Sequence, residues 1–331
     1  LSRRQRQMCI RDSRAPGQNA LSTARKESDT VEIQSGFFNG FTTGTPLCAR
    51  IVNSDQHSKD YSILADKMRP GHADYAGHVR YQGFNDYRGG GHFSGRLTAP
   101  LVFFGAVAKQ ALAQYGIIVG SHILQINDIK EERFNPMGVS DAELAELHTK
   151  KFAVMDDAVG EKMQERILQA KSELNSVGGV IEAIALHLPA GIGAPYFDSV
   201  ESMLSHALFS VPAVKGVEFG DGFGFAGLTG AEANDALHYV DGKVQALTNH
   251  NGGVTGGITN GMPLVVRVAI KPTPSIAREQ QTVSLKEQAD TTLAIVGRHD
   301  PCIVQRAVPV IEAVVAWTLW DLLLEAKKWE K

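Results

Sequence analysis

Residue types that could carry out chemistry are concentrated in one glycine-rich stretch, Arg69–Ala99. It contains three His, four Arg, two Asp, three of the chain's seven Tyr and a run of three glycines. Glycines let backbone N–H groups approach an anion closely, and arginines donate charge-assisted hydrogen bonds to phosphates and carboxylates. A histidine can transfer protons near neutral pH. This combination predicts a site for a small polyanion with proton-transfer chemistry.

The alternative for the same stretch is a solvated, glycine-rich surface loop. Few Leu, Ile or Val residues interrupt it, so it is not expected to form a helix or a strand that buries a face. We favour the site over the plain loop, because loops this dense in catalytic residue types are disproportionately functional.

Later stretches offer related chemistry. Asn249–Gly261 contains five glycines in a polar run, which suits a backbone cradle for an anion, with a flexible linker as the alternative. Lys271–Ser275 directly follows an apolar strand, and a lysine beside Thr and Ser can hold a phosphate. Arg298 and Asp300 place a guanidinium and a carboxylate two residues apart. Neither a P-loop nor a strand followed by GxGxxG is present.

The elements that must position these stretches are short strands and helices. Alternating or apolar runs predict strands at Thr30–Ser35, Leu47–Val52, Ile117–Ile126, Val180–Leu188 and Pro263–Ile270. Capping and periodicity predict helices at Thr98–Tyr115, from Ser140, at Asp156–Asn175, at Ser199–Phe209 and near the C-terminus, with Thr98 and Asp198 as N-caps. A mobile loop is expected at Leu228–His238. The regular βαβ spacing of a doubly wound sheet is missing, so the predicted fold class is α+β.

Composition limits the possible functions. The 331 residues are 43% hydrophobic and 21% charged, which is ordinary for a globular protein. A net charge of −3 and a pI near 6.4 argue against nucleic acid as the main partner. The three Cys are widely spaced without a Cys/His ligand pattern, so no metal site is predicted. The apolar segment Ala307–Ala326 carries acidic residues and is expected to be a core helix and not a membrane span. With no secretory signal visible, a cytoplasmic location is expected.

Three motifs together resemble chorismate synthases. They are Arg69–Tyr75 with its continuation Asp86–Ala99, then Asn249–Ile258 followed by Lys271–Ser275, and finally Gly297–Cys302, in the family's order. The resemblance implies a β–α–β sandwich, with helices layered between antiparallel sheets, and a homotetramer. It also implies a lyase of the shikimate pathway that eliminates phosphate from 5-enolpyruvylshikimate 3-phosphate, with reduced FMN as cofactor and NADP as an associated nucleotide.

The resemblance also implies roles for individual residues. His72 and Asp300 correspond to catalytic residues that handle protons. Substrate contacts correspond to Arg14, Arg69, Arg96 and Arg298, with a plain loop arginine as the alternative at Arg14. Cofactor contacts correspond to His92, Phe93, Ser94, Ala213, Gly256, Lys271, Pro272, Thr273, Pro274, Ser275 and Arg298. Many members have Arg-Ser at the positions of His92 and Phe93, so the flavin contact there is expected to be altered.

We expect the first 13 residues to lie outside the family resemblance. Leu1–Ser13 is basic and aperiodic, and we expect a non-native tail, with a genuine basic arm as the alternative. Residues 14–331 are expected to form a single domain that lacks the family's amino-terminal segment and its histidine. Two rival functions follow. One is a truncated, inactive chain that binds FMN or polyanions without turnover, and the other is a non-enzymatic anion-binding scaffold.

Overall fold

The computed structural model describes residues 21, 29–53, 63–295 and 300–328. Its strands are β1 (Val31–Ser35), β2 (Phe37–Phe38), β3 (Phe41–Thr42), β4 (Cys48–Ile51), β5 (Ile118–Ile126), β6 (Ile129–Lys130), β7 (Gly179–Leu186), β8 (Val214–Phe219), β9 (Leu237–Val240), β10 (Lys243–Ala246), β11 (Val254–Thr255), β12 (Ile258–Thr259), β13 (Leu264–Ile270), β14 (Gln280–Ser284) and β15 (Ala289–Leu293). Its α-helices are α1 (Asp74–Arg80), α2 (Thr98–Ala113), α3 (Asp141–Leu147), α4 (Asp157–Ser172), α5 (Val200–Phe209), α6 (Gly230–Ala233) and α7 (Val304–Lys327). Short 3₁₀ helices lie at Arg88–Phe93, Gly95–Leu97 and Gly222–Gly227. The mixture of helices with antiparallel sheets confirms the α+β prediction.

One five-stranded antiparallel sheet organises the chain, in the order β6-β5-β7-β13-β8. Its central strands β7 and β13 are apolar runs because both faces of the sheet are covered. Ile181 and Ala183 face the larger core, which includes α5 and α7, while Ile184 and Leu186 face a smaller core with α3. The other described strands pair two by two.

Helices α2 and α7 pack closely against each other. A Cβ atom added at Gly105 would lie 2.1 Å from the Cβ of Ala313, so only glycine permits this separation of the two helices. By length and composition α7 could cross a membrane, but 67% of its most apolar window is buried inside the protein. This burial is what is expected of a core helix.

The β14–β15 hairpin supports the segment that leads into the glycine-rich stretch. The Asp66 carboxylate accepts hydrogen bonds from Ser284 Oγ at 2.8 Å and from the Lys286 backbone N–H at 2.7 Å. A small core between the two segments consists of Leu64, Leu293 and Ile295. The hairpin therefore fixes the chain just before Arg69.

Two segments contain regular structure where the sequence predicts loops. Helix α1 lies within Arg69–Ala99, and the ring of Phe93 packs against Gly77, the buried residue of this helix. The expected loop at 228–238 contains α6, which begins at a capping box formed by Thr229 and Glu232. Local side-chain contacts therefore accompany both short helices, α1 and α6.

Two predicted N-caps are wrong by one residue. Thr98 is the first residue of α2, and its hydroxyl donates a hydrogen bond to Gly95 O at 2.6 Å. Ser199, and not Asp198, caps α5, because its Oγ accepts a hydrogen bond from Ser202 N at 3.1 Å. Both hydroxyls satisfy backbone groups close to the start of the helix.

Candidate active site

The glycine-rich stretch turns at Gly71 and holds three polar side chains together just before α1. Gly71 has φ +68°, in the left-handed region that favours glycine. Arg69 and Asp74 form a bidentate ion pair, with Nε 2.7 Å from Oδ2 and Nη2 2.8 Å from Oδ1. The Nδ1 atom of His72 lies 2.7 Å from Oδ1 of the same carboxylate. The turn therefore presents a histidine and an arginine that share one carboxylate.

The Asp74 carboxylate is ionised in this arrangement. Burial raises its pKa, but hydrogen bonds from Arg69 and His72 and their charges outweigh the burial and hold the pKa well below its ordinary value. The backbone N–H of Arg69 also donates to Oδ2 at 3.0 Å. An ionised carboxylate has enough lone pairs to accept all of these hydrogen bonds.

The segment Lys271–Ser275 lies against this turn, 200 residues further along the chain. The Nζ atom of Lys271 donates a hydrogen bond to Gly71 O, and Ser275 Oγ accepts one from Arg69 Nη1 at 3.2 Å. A Cβ atom added at Gly71 would lie 3.5 Å from Cβ of Pro274, so Gly71 and Pro274 are neighbours. Residues predicted to bind the cofactor and residues predicted to act on the substrate thus share one site.

The same segment has the donors that a phosphate group requires. Burial and the nearby charge of Lys215 lower the pKa of Lys271, so an anion would stabilise this pair of ammonium groups. Thr273 Oγ1 is buried and has no hydrogen-bond partner in the part of the chain that the structure describes. A buried hydroxyl without a partner is costly, and a phosphate oxygen would satisfy it. These residues fit the phosphate of a bound nucleotide cofactor.

Ala213 lies beside the segment Lys271–Ser275, which is the phosphate-binding candidate. Its carbonyl oxygen accepts a hydrogen bond from Lys271 N at 3.0 Å. Its φ of +75° lies in a region that residues with a side chain rarely adopt, and such strain is often retained next to functional sites. The structure therefore sets Ala213 beside Lys271, as a shared cofactor contact requires.

Asp300 approaches the site from the segment before α7. Its Oδ2 accepts a hydrogen bond from Arg306 Nη1, and its side chain is 9% exposed. Ser176 Oγ donates to Thr273 O at 2.7 Å, and the backbone N–H of the next residue donates to Pro301 O at 2.9 Å. These two hydrogen bonds tie the chain at Asp300 to the phosphate-binding candidate.

His92, Phe93 and Ser94 lie beside α1, on the other side of the glycine run. His92 is exposed, whereas the ring of Phe93 packs on Gly77. Ser94 Oγ accepts a hydrogen bond from Arg96 N at 3.2 Å and so caps a 3₁₀ helix. The cofactor role of these three residues stays a prediction.

Arg96 joins the glycine-rich stretch to the first strands of the chain. Its guanidinium bonds the fully buried carboxylate of Asp29 through Nη1 and donates to Val52 O at 3.3 Å through Nη2. The role of Arg96 as a substrate contact stays a prediction, while its ion pair gives it a structural role as well.

Gly256 is not brought into this group. It lies in the turn between β11 and β12, and that hairpin starts from Gly253, which touches Pro263 O just before β13. Lys271 follows the other end of β13, a strand of seven residues. A strand of this length spans about 20 Å, so Gly256 and Lys271 lie at opposite ends of the sheet.

The site includes two residues that the sequence alone did not single out. Asp74 follows His72 by two residues in the same turn, and that spacing was the available signal. Arg306 lies near the start of α7 and carried no recognisable signal before its contact with Asp300 was seen. The predicted substrate contact Arg14 and the predicted dual contact Arg298 lie outside the described residues.

The fold and the site define the class as an α+β protein with a polar site assembled from distant segments. A family model described as chorismate synthase matches residues 5–324. The match begins inside Leu1–Ser13, and the boundary at Arg14 stays a prediction. The chain belongs to the chorismate synthase family.

Named relatives agree with this assignment. The chain is 46% identical to the chorismate synthase of Pyrococcus abyssi, over 96% of this chain and 87% of that protein. It is 44% identical to the chorismate synthase of Korarchaeum cryptofilum, again over 96% of this chain and 87% of that protein. A solved structure described as a crystal structure of chorismate synthase superposes with a TM-score of 0.75 at 27% identity, covering 98% of this chain and 84% of the other.

Proposed function

We propose that this chain converts 5-enolpyruvylshikimate 3-phosphate to chorismate by an anti-1,4 elimination of phosphate, with reduced FMN as cofactor. The observation that carries the proposal is the meeting of Arg69, His72 and Lys271–Ser275, in a chain of this family. The substrate carries a phosphate and two carboxylates, and a site with several arginines can compensate these charges. The reaction is a carbon–oxygen lyase step of the shikimate pathway.

The described residues fit FMN at the phosphate end. Lys271 supplies a cation, and Thr273 supplies a hydroxyl that has no other partner among the described residues. Ala213 lies beside this segment through its hydrogen bond with Lys271. When bound, reduced FMN would supply transient electron density for the departure of phosphate.

The chain's own residues then bind the substrate and handle protons. Arg69 and Arg96 are proposed to orient the substrate anions, as are Arg14 and Arg298 by family resemblance. His72 is proposed to donate a proton at the cofactor, and Asp300 to accept the proton that leaves the substrate. Arg306 compensates the charge of Asp300 within hydrogen-bond distance.

A homotetramer would account for the position of Gly256. This residue lies about one sheet length from Lys271 in the same chain, so it would reach a cofactor held by another copy. Tyr196 and Phe197, in a loop next to the β11–β12 hairpin, are 87% and 90% exposed, and exposed apolar patches are typical of interfaces. Assembly as a homotetramer in the cytoplasm is part of the proposal.

The deciding experiment is an anaerobic assay of chorismate formation from 5-enolpyruvylshikimate 3-phosphate with dithionite-reduced FMN. We expect chorismate with reduced FMN and none with oxidised FMN in the matched control. Binding of FMN and substrate without any chorismate would contradict the proposed activity and favour the binding-only alternative. If the chain bound neither FMN nor the substrate, both the proposed activity and the binding-only alternative would be contradicted.

A further inference from the structure

We propose that Asp74 is a positioning residue that sets both the orientation of Arg69 and the tautomer of His72. Its carboxylate keeps a proton on Nδ1 of His72, so that Nε2 is the ring nitrogen available for proton transfer. The inference rests on the proposed function for the purpose of that proton, but the geometry behind it is independent of any reaction.

The tautomer follows from one contact. His72 Nδ1 and Asp74 Oδ1 are 2.7 Å apart, and both would carry only lone pairs if Nδ1 were unprotonated. Because the carboxylate is ionised, the proton between the two atoms must belong to Nδ1. Arg69 Nη2 lies 3.1 Å from Nδ1, but it has a better acceptor in Oδ1 at 2.8 Å. Oδ1 therefore accepts hydrogen bonds from both residues, and Nε2 remains for other partners.

The same carboxylate fixes Arg69. The Arg69 guanidinium donates hydrogen bonds to both carboxylate oxygens of Asp74, and its Nη1 also donates to Ser275 Oγ at 3.2 Å. The backbone N–H of Arg69 donates to Asp74 Oδ2 as well. Arg69 is only 6% exposed, so its plane cannot turn without breaking these hydrogen bonds. Asp74 thus links the proposed proton donor to the segment proposed to hold the cofactor.

An asparagine at position 74 would keep the shape and lose this function. The asparagine side chain has a single acceptor oxygen, which cannot accept hydrogen bonds from both the Arg69 guanidinium and the His72 N–H, as two carboxylate oxygens do. Its NH₂ group would either lie against an N–H donor of one of these residues or favour the other tautomer of His72. In the flipped tautomer the proton sits on Nε2, which then has no lone pair. Asp74→Asn is therefore the informative substitution.

The first test measures the histidine directly and needs neither FMN nor turnover. The intact protein is treated with diethyl pyrocarbonate near neutral pH, and acylation of the peptide containing His72 is followed by mass spectrometry. We expect Asp74→Asn to slow acylation of His72 by about tenfold, as for the loss of one charge-assisted hydrogen bond. A role in folding alone would leave the rate unchanged or increase it through exposure, and either result would overturn the proposal.

Two further variants make the test specific. Asp86→Asn is the matched control, because Asp86 also binds an arginine through both oxygens, with Arg88 Nε at 2.8 Å. Its side chain is exposed and has no histidine partner among the residues that the structure describes. We expect it to leave His72 acylation unchanged. Asp74→Glu keeps the charge, so its His72 should be acylated faster than the His72 of Asp74→Asn. A purely steric role predicts the reverse order, because asparagine keeps the shape of aspartate and glutamate is longer.

The second test uses the proposed reaction. We expect Asp74→Asn to lower kcat for chorismate formation by about 100-fold or more, as for the loss of an oriented proton donor. If the wild-type chain forms no chorismate, the proposed function fails, while the acylation rates still decide the role of Asp74. Wild-type kcat in Asp74→Asn, with His72 acylation also unchanged, would refute the inference.

Discussion

Two ionic clusters in this molecule, each built around a largely buried carboxylate, contain almost the same chemistry. Each has a carboxylate, a histidine and a cation within hydrogen-bond distance. The loop cluster consists of Arg69, His72 and Asp74. The helix cluster consists of Lys109, Ser121, His148 and Glu312. Residue types alone therefore do not separate a candidate active site from an internal ion pair.

The surroundings separate the two clusters. Glu312 comes from α7 and meets Lys109 from α2, Ser121 Oγ at 2.9 Å and His148 Nε2 at 3.1 Å, so rigid elements converge on one carboxylate. The loop cluster instead borders a glycine turn, a lysine with a lowered pKa and the hydroxyl of Thr273, which has no partner within the described part of the chain. The helix cluster joins elements of the core, whereas the loop cluster lies next to donor groups that could bind a ligand.

The largest expected difference comes from the two histidines. We expect His72→Asn to lower kcat for chorismate formation by about 100- to 10,000-fold, the usual contribution of a positioned proton donor. His148→Asn is the matched control. Its kcat should equal that of the wild type, because among the described residues the His148 ring has hydrogen-bond partners in Lys109 and Glu312 alone. Equal kcat values for the two variants would remove the functional distinction between the clusters.

The carboxylate of the helix cluster should matter for stability and not for turnover. Glu312→Gln removes the charge opposite Lys109 and leaves that cation uncompensated. The expected cost is about 2–3 kcal/mol, below the roughly 3–5 kcal/mol of a fully buried pair, because the Lys109 side chain is 26% exposed. Urea unfolding measures this loss, and kcat per folded molecule should stay the same. Glu325→Gln, on the exposed side of the same helix, should change neither quantity. A loss of turnover in Glu312→Gln without a loss of stability would reverse the assignment.

The lysine beside the loop cluster tests its binding capacity. We expect Lys271→Met to weaken FMN binding by about 10- to 100-fold, as for the loss of a hydrogen bond to a charged group worth roughly 1.5–3 kcal/mol. Flavin fluorescence quenching measures the Kd. Lys243→Met, in the exposed β9–β10 hairpin, is the control and should bind FMN like the wild type. Unchanged affinity in Lys271→Met would remove this residue from the phosphate site.

The sequence revealed Arg69 and His72 of the loop cluster but missed the helix cluster, for a physical reason. Glycines, arginines and a histidine within one short stretch are visible in order, and the capping box at Ser140 and the apolar run of β13 are equally local. Lys109 and Glu312 are 203 residues apart, and no periodicity indicates that they meet. The contact between Arg306 and Asp300 depends in the same way on where α7 begins.

The smallest of the four expected effects is a loss of folding stability at low pH, which arises from Glu312 in the helix cluster. Burial raises the pKa of Glu312, but the charges of Lys109 and His148 and their hydrogen bonds outweigh it, and the pKa falls to about 2. The unfolded chain therefore takes up this proton first, and the stability that Glu312 contributes is present above its unfolded pKa of about 4.5 and is lost as the pH falls towards 2.

Lowering the pH from about 6 to about 3.5 should then remove about 1.4 kcal/mol of this contribution from the wild type and none from Glu312→Gln. The measurement is the free energy of unfolding in urea at both pH values. Asp74 also contributes to the pH dependence, because its pKa in the folded protein lies below its ordinary value too, but it does so equally in the wild type and in Glu312→Gln. The difference between the two proteins therefore reports on Glu312. Parallel pH dependence in the wild type and Glu312→Gln would mean that the helix cluster does not hold Glu312 ionised, and the contrast between the two clusters would then rest on the loop cluster alone.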